Sequence, residues 1–153
     1  MKFNSCRTPQ HTGFTLIELI IAVVVLSIIA AIALPSFREN IRQGRRMEAR
    51  SLLLENAHFM ERFFTENNRY NLRADGSTPV VLPILASPRS GPSLYSISFD
   101  TQVPISSDSF NLRAAPVAGR NMDDDACGTY LLSNLGVRAN VNNSKTSVEC
   151  WSK

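Results

Sequence analysis

Residues 13–34 read GFTLIELIIAVVVLSIIAAIAL, an almost unbroken run of apolar side chains. Between residues 14 and 34 only Thr15, Glu18 and Ser27 are polar. As a helix, this segment would be roughly 31 Å long, which matches the hydrocarbon thickness of a bilayer. The sequence therefore predicts a membrane-length helix close to the N-terminus.

The residues of this segment alone leave two interpretations open. Ala31-Ile32-Ala33 fits the small-x-small pattern of a secretory signal, and cleavage there would release a soluble product that begins at Leu34. The helix would otherwise be retained as a plain membrane anchor. Glu18 opposes the secretory interpretation, because a carboxylate in the apolar region costs up to about 2.5–3.5 kcal/mol on insertion. An ionisable residue in such a segment is also a candidate functional residue that requires a partner.

The string Gly13-Phe14-Thr15-Leu16-Ile17-Glu18-Leu19 resembles the class III signal of type IV prepilins and pseudopilins. The resemblance implies cleavage between Gly13 and Phe14 by a prepilin peptidase on the cytoplasmic face, and methylation of the new Phe14 amino group by the same enzyme. It also implies that Glu18 pairs with the Phe14 amine of a neighbouring subunit and so sets the register of a filament. Residues 1–13 would be a leader peptide, and residues 14–34 the transmembrane and polymerisation helix.

Residues 35–67 are predicted to continue the helix as an amphipathic segment. Pro35 predicts a kink, because proline removes one backbone donor from the helix. Beyond it, apolar residues recur at spacings of three and four, which is typical of a helix with one buried face. The predicted face consists of Ala49, Leu53, Ala57, Met60 and Phe64, widened by Leu52, Phe59 and Phe63.

Five arginines follow the apolar segment, at positions 38, 42, 45, 46 and 50. They are interpreted as a solvated helix face or as contacts between subunits. They outnumber Lys2 and Arg7, so a positive-inside count alone would place the C-terminal part in the cytoplasm. The class III signal implies the opposite orientation, with the globular part outside the inner membrane, and we give that signal precedence.

The remainder of the chain predicts a long loop and then a sheet. Residues 68–94 are rich in Pro, Gly, Asn and Ser and form the predicted αβ-loop. Within residues 95–153, apolar and polar residues alternate in several short runs, which predicts an antiparallel sheet of three to four strands. A long helix packed on such a sheet is an α+β fold, and it is the fold that the resemblance to type IV pilins implies.

The chain has three cysteines, an odd number. Cleavage after Gly13 would remove Cys6 and leave Cys127 and Cys150 in a compartment that favours disulfides. The resemblance implies that these two form the disulfide-bounded loop of type IV pilins. Asp125-Ala126-Cys127-Gly128-Thr129, together with Cys150-Trp151, looks most like the PilE-type minor pilins. The acidic run at residues 123–125 is interpreted as a solvated turn rather than as a calcium site.

Composition excludes several classes of function. A hydrophobic share of 44% argues against disorder, and a net charge of +3 is too small to indicate nucleic-acid binding. No nucleotide-binding or metal-binding motif occurs, and the only histidines are His11 and His58, so no enzyme activity, metal or cofactor is predicted.

The resemblance implies a minor pilin that resides in the inner membrane and then assembles into an extracellular type IV pilus for motility, adhesion or DNA uptake. Its partners would be other pilin subunits, the prepilin peptidase and the inner-membrane assembly machinery. Two alternatives stay open. One is a pseudopilin of a type II secretion system. The other, less favoured, is a pilin that binds DNA or a receptor, with phosphate contacts from Arg89, Arg113, Arg120, Arg138, Lys145 and Lys153.

Overall fold

The structure is a computed structural model that describes residues 14–152, so Gly13 of the predicted cleavage site lies outside the described residues. It contains two helices and five strands: α1 (Leu16–Asn67), β1 (Ala86–Ser87), β2 (Tyr95–Phe99), β3 (Asn111–Pro116), β4 (Thr129–Ser133), β5 (Arg138–Val141) and α2 (Ser147–Ser152). The chain divides into two compact units between Glu39 and Asn40, and each contains part of α1. We describe them separately, and we call the second unit the head.

In the first unit, the predicted membrane-length segment is helical from Leu16 onward and continues through Pro35. Its apolar side chains are exposed throughout, and α1 has the length and composition needed to cross a membrane. The hydroxyl of Ser27 in this segment is satisfied within the helix, because it donates to the Val23 carbonyl at 2.7 Å. Such an internal bond suits a helix that lies in an apolar environment, where no water is available to a hydroxyl.

In the head, α1 buries the predicted face against the sheet. Ala49, Leu53 and Met60 are fully buried, and Ala57 and Phe64 are partly buried against the same core. The helix ends at Asn67, the predicted boundary, and Asn68 follows with a φ of 54°. Asn tolerates this left-handed conformation better than most residues, and the Asn68 amide donates to the Phe64 carbonyl at 2.7 Å, which closes the last turn.

The sheet is antiparallel throughout, with strand order β1-β2-β3-β4-β5. One face covers α1, and its core side chains alternate along the strands as predicted: Tyr95, Ile97, Leu112, Ala114, Tyr130 and Leu132. The predicted helix-on-sheet α+β class is confirmed. The sheet has five strands rather than three to four, and the short helix α2 was not predicted.

The additional strand, β1, lies inside the predicted αβ-loop. Asn56 of α1 is fully buried, and its side-chain amide donates to the Ile84 carbonyl at 2.7 Å and accepts from the Ile84 amide at 3.3 Å. This pair of bonds holds the segment extended next to β2. Val80, Leu82 and Ile84 consequently point into the core. The predicted loop is therefore ordered by a contact that its own sequence does not reveal.

Candidate functional site

The N-terminal end of α1 presents the residues of the predicted assembly motif. The Glu18 amide donates to the Thr15 hydroxyl at 3.3 Å, which caps the first turn, and the Phe14 side chain is 81% exposed. The Glu18 carboxylate lies in the first turn of α1 and is exposed. Within residues 14–152 it makes no ion pair. A carboxylate in an apolar helix is thus available to a cation supplied by another molecule.

A second cluster joins α1 to the segment that precedes Cys127. Arg42 binds Asp124 at 2.7 Å, and Arg46 binds the Asp125 carboxylate through Nη2 at 2.5 Å and through Nε at 2.9 Å. Arg50, one further turn along α1, donates to the carbonyl oxygen of Cys150 at 2.9 Å. We call Arg42, Arg46 and Arg50 the arginine ladder, because they recur every four residues on one side of the helix.

The arginine ladder corrects two sequence-based interpretations. Arg46 and Arg50 are only 6% and 8% exposed, so they are not part of a solvated helix face. Asp125 is 5% exposed, so the acidic run is not simply a solvated turn. The sequence contained a signal for the burial of Arg46 and Arg50. Positions 46, 49, 50 and 53 continue the three-and-four spacing of the buried face toward the N-terminus.

Burial shifts the pKa of Arg50 and of two tyrosines next to the arginine ladder. Desolvation raises the pKa of Tyr130 to about 12, assisted by the negative charge of Asp125. Desolvation likewise raises the pKa of Tyr95, whose hydroxyl lies 3.4 Å from Asp125. Desolvation lowers the pKa of Arg50 from its usual high value. The cluster is therefore a low-dielectric site in which the Arg46–Asp125 pair is shielded from solvent.

The loop that the ladder holds is closed by a disulfide between Cys127 and Cys150, with Cα atoms 5.6 Å apart. Cys150 lies in α2, whose first turn is capped by Thr146 and Glu149 through reciprocal bonds of 3.0 and 3.3 Å. Trp151 packs edge-on against Tyr130, with ring centroids 5.4 Å apart, and its indole donates to the Ala139 carbonyl. The C-terminal segment is thereby fixed to both α1 and the sheet.

The backbone conformation and the close packing at position 128, next to the disulfide, require a glycine. The φ of Gly128 is +55°, and a Cβ atom there would collide with the backbone carbonyl oxygens of Val141 and Asn142. Only glycine permits both this conformation and this approach.

Two of the cations considered for DNA contacts, Arg113 and Arg138, do not share a surface. Arg89 pairs with Glu55, and Arg138 stacks over the Trp151 ring at 5.4 Å. Arg113 lies opposite Leu131, which in turn lies opposite Ala139, so Arg113 and Arg138 are on different faces of the sheet. Lys153 lies outside the described residues. Across residues 14–152 no group of His, Cys, Asp and Glu side chains could hold a metal ion.

Comparisons with known families match both parts of the chain. The family model described as type IV minor pilin ComP, DNA uptake sequence receptor, matches residues 35–131. The prokaryotic N-terminal methylation motif matches residues 9–34, which include Gly13, Phe14 and Glu18.

Curated relatives are pilins and secretion proteins. The type IV major pilin protein PilA of Myxococcus xanthus (strain DK1622) is 40% identical over 63 residues, which are 41% of this chain and 29% of PilA. The type II secretion system core protein G of Aeromonas hydrophila is 31% identical over 81 residues, which are 52% of this chain and 55% of that protein. The chain thus spans about half the length of these relatives or less.

Two solved structures are similar in part. A type IV pilin from Shewanella oneidensis is 26% identical, with 68% of this chain and 97% of that chain covered and a TM-score of 0.42. The non-core minor pilin PilV of Neisseria meningitidis is 23% identical, with 69% and 93% covered and a TM-score of 0.47.

Proposed function

The chain belongs to the family of the type IV minor pilin ComP, and on this premise we propose that it is a structural subunit of a bacterial type IV pilus. The observation that carries the proposal is the methylation motif at residues 9–34, whose apolar side chains from Phe14 to Leu34 are all exposed in the structure. An exposed apolar surface of this extent needs a bilayer or other copies of such a helix to cover it. The bilayer covers this surface before assembly, and the helices of neighbouring subunits cover it in the filament core.

We propose that processing and assembly use the residues at the start of α1. Cleavage between Gly13 and Phe14 generates an amine four residues before Glu18, and the peptidase methylates it. A carboxylate in an apolar helix is stabilised only where it meets a cation, so Glu18 favours the one axial offset that places it next to the Phe14 amine of a neighbouring subunit. Glu18 therefore sets the register of the filament.

Two observations support an extracytoplasmic location for the head. The disulfide Cys127–Cys150 belongs to an oxidising compartment. The arginines that conflict with the positive-inside count have structural roles in the head, since Arg42, Arg46 and Arg50 bind groups of the disulfide-bounded loop or beside it. The proposed location is the inner membrane before assembly and the extracellular pilus afterwards.

The test compares Glu18→Gln with Ser27→Ala, a matched polar change in the same helix. We expect both variants to be cleaved after Gly13, which the mass of the N-terminal peptide establishes, and to be methylated on Phe14. Glu18→Gln should be missing from sheared fibres, whereas Ser27→Ala should be incorporated at the wild-type level. Wild-type amounts of Glu18→Gln in the fibres would contradict the role of Glu18, and a mature protein that begins at Leu34 would contradict the proposal itself.

A second candidate function is DNA binding during uptake, which the description of the matched family favours. Arg113 and Arg138 lie on different faces of the sheet, so affinity would depend on separate phosphate contacts. Each neutralised phosphate contributes about −0.9 to the slope of log affinity against log salt concentration on duplex DNA. Binding of labelled duplex DNA to the full chain, measured over a salt series, should show a steep slope if this function is present. Salt-independent or absent binding would leave only the filament function.

The alternative function for this fold is that of a pseudopilin in a type II secretion system. The minor pilin family model extends through residues 35–131 and thus into β4. This range includes most of the head, and it favours the pilus. Recovery of the chain in sheared pili, rather than only in complexes with secretion components, distinguishes the two.

A further inference from the structure

Each cysteine of the disulfide is also held by hydrogen bonds that do not involve its sulfur atom. Asn140 donates to the Cys127 carbonyl at 2.8 Å, and the Cys127 amide donates to Asp125 at 3.3 Å. Arg50 donates to the Cys150 carbonyl at 2.9 Å. Both cysteine backbones are therefore held in the head by hydrogen bonds in addition to the sulfur–sulfur bond.

Two of these contacts, the one at the Cys127 amide and the one at the Cys150 carbonyl, involve buried arginines of α1. Arg46 holds the Asp125 carboxylate, which in turn accepts from the Cys127 amide, and Arg50 holds Cys150 directly. Hydrogen bonds to charged groups are about twice as strong as those between neutral groups, and burial keeps water from competing for them. Loss of Arg50 would leave the Cys150 carbonyl without this donor in the interior, which costs more than the bond contributes.

We propose that Arg46 and Arg50 are positioning residues for oxidation of the cysteine pair. They dock the Cys127 and Cys150 segments on α1 while both thiols are still reduced, so that the disulfide locks a loop that is already in place. In the oxidation step the two thiols lose two protons and two electrons, and a disulfide-containing oxidant is reduced to two thiols. A fold that holds the thiols together raises their effective concentration and so favours this exchange.

The first experiment measures that effective concentration. The full chain with Cys6→Ser, in detergent micelles, is equilibrated with mixtures of reduced and oxidised glutathione, and circular dichroism verifies that each reduced protein is folded. We expect Arg50→Met to lower the effective concentration about tenfold, as the loss of one hydrogen bond to a charged group implies. Arg45→Met is the matched control, because Arg45 is exposed and its ion pair among the described residues is with Glu48 on the same helix. Equal values for Arg50→Met and the parent protein would overturn the proposal.

A second experiment needs no arginine variant and can therefore overturn the proposal even if Arg50→Met fails to fold. The chain has a single tryptophan, Trp151, directly after Cys150. In the double variant Cys127→Ser, Cys150→Ser, the proposal expects Trp151 fluorescence at the same wavelength as in the oxidised protein, because the arginines still dock the loop. A shift to the wavelength of a fully exposed tryptophan, with the strands still protected from hydrogen exchange, would show that the disulfide alone holds the loop.

Discussion

At the scale of single residues, Asp124 and Asp125 are neighbours in the chain but differ in what they do. The Asp124 side chain is 77% exposed in its pair with Arg42, whereas the Asp125 side chain is fully buried in its pair with Arg46. An exposed ion pair contributes about 0.2–1 kcal/mol. Removal of one partner from a buried pair leaves the other charge uncompensated in the interior.

Asp125→Asn should therefore lower the free energy of unfolding of the head by about 3–5 kcal/mol. Asp124→Asn is the matched control and should lower it by less than about 1 kcal/mol. Equilibrium unfolding in guanidinium chloride with the disulfide intact measures both. Similar losses for the two variants would mean that the Arg46–Asp125 pair is open to solvent.

Tyr130 gives the head a pH dependence in the alkaline range. Its pKa is raised to about 12 in the folded protein by desolvation, whereas a tyrosine in an unfolded chain ionises near about 10. Between these values the unfolded state has lost a proton that the folded state retains. The contribution of Tyr130 to the free energy of unfolding should therefore be constant below about pH 10 and should fall by about 1.4 kcal/mol per pH unit between about pH 10 and about pH 12.

Denaturation at a series of alkaline pH values measures this slope, and Tyr130→Phe should reduce it. Phenylalanine is a conservative replacement, because the Tyr130 hydroxyl has no hydrogen-bond partner among the described residues. Tyr95, whose pKa is also raised by burial, should account for the dependence that persists. An unchanged slope in Tyr130→Phe would show that its hydroxyl ionises normally in the folded head.

At the scale of elements, the sequence predicted what local periodicity determines. The end of α1 at Asn67 follows from a spacing of three to four in the chain, and strands β2 and β3 follow from a spacing of two. Strand β1 and the arginine ladder were not predicted, because they form through contacts between distant segments. The partner of Asn56 is Ile84, and the partner of Arg46 is Asp125. No window of neighbouring residues contains both members of either pair.

Asn56→Ala tests how β1 is attached. The variant removes both bonds to the Ile84 backbone and leaves a buried amide and carbonyl without their partner, which should cost about 2–3 kcal/mol. Hydrogen exchange should show loss of protection at the Ile84 amide and around β1, while β3 and β4 stay protected. His58→Ala, an exposed change on the same helix, is the control and should alter neither. Protection that persists around β1 in Asn56→Ala would mean that pairing with β2 alone orders it.

At the scale of the whole molecule, the two units divide the apolar residues between two environments. The exposed aliphatic run lies at residues 14–34, whereas every buried side chain of the described chain lies at residue 46 or beyond. This division was predictable from the sequence, because the apolar block is continuous and the later apolar residues are periodic. It implies that the head contains its complete hydrophobic core without the membrane-length segment.

Deletion of residues 1–39 should therefore leave the free energy of unfolding of the head unchanged within about 0.5 kcal/mol, as for changes confined to exposed positions. Urea unfolding followed by Trp151 fluorescence, with the truncated and full chains in the same detergent, makes the comparison. The double variant Cys127→Ser, Cys150→Ser in the truncated head serves as a destabilised reference, with an expected loss of about 3.5 kcal/mol from the opened loop. A truncation that lowered the free energy of unfolding as much as removal of the disulfide does would contradict this expectation. Residues 14–39 would then unfold cooperatively with the head, and they would not be an independent apolar helix that only a bilayer or a filament covers.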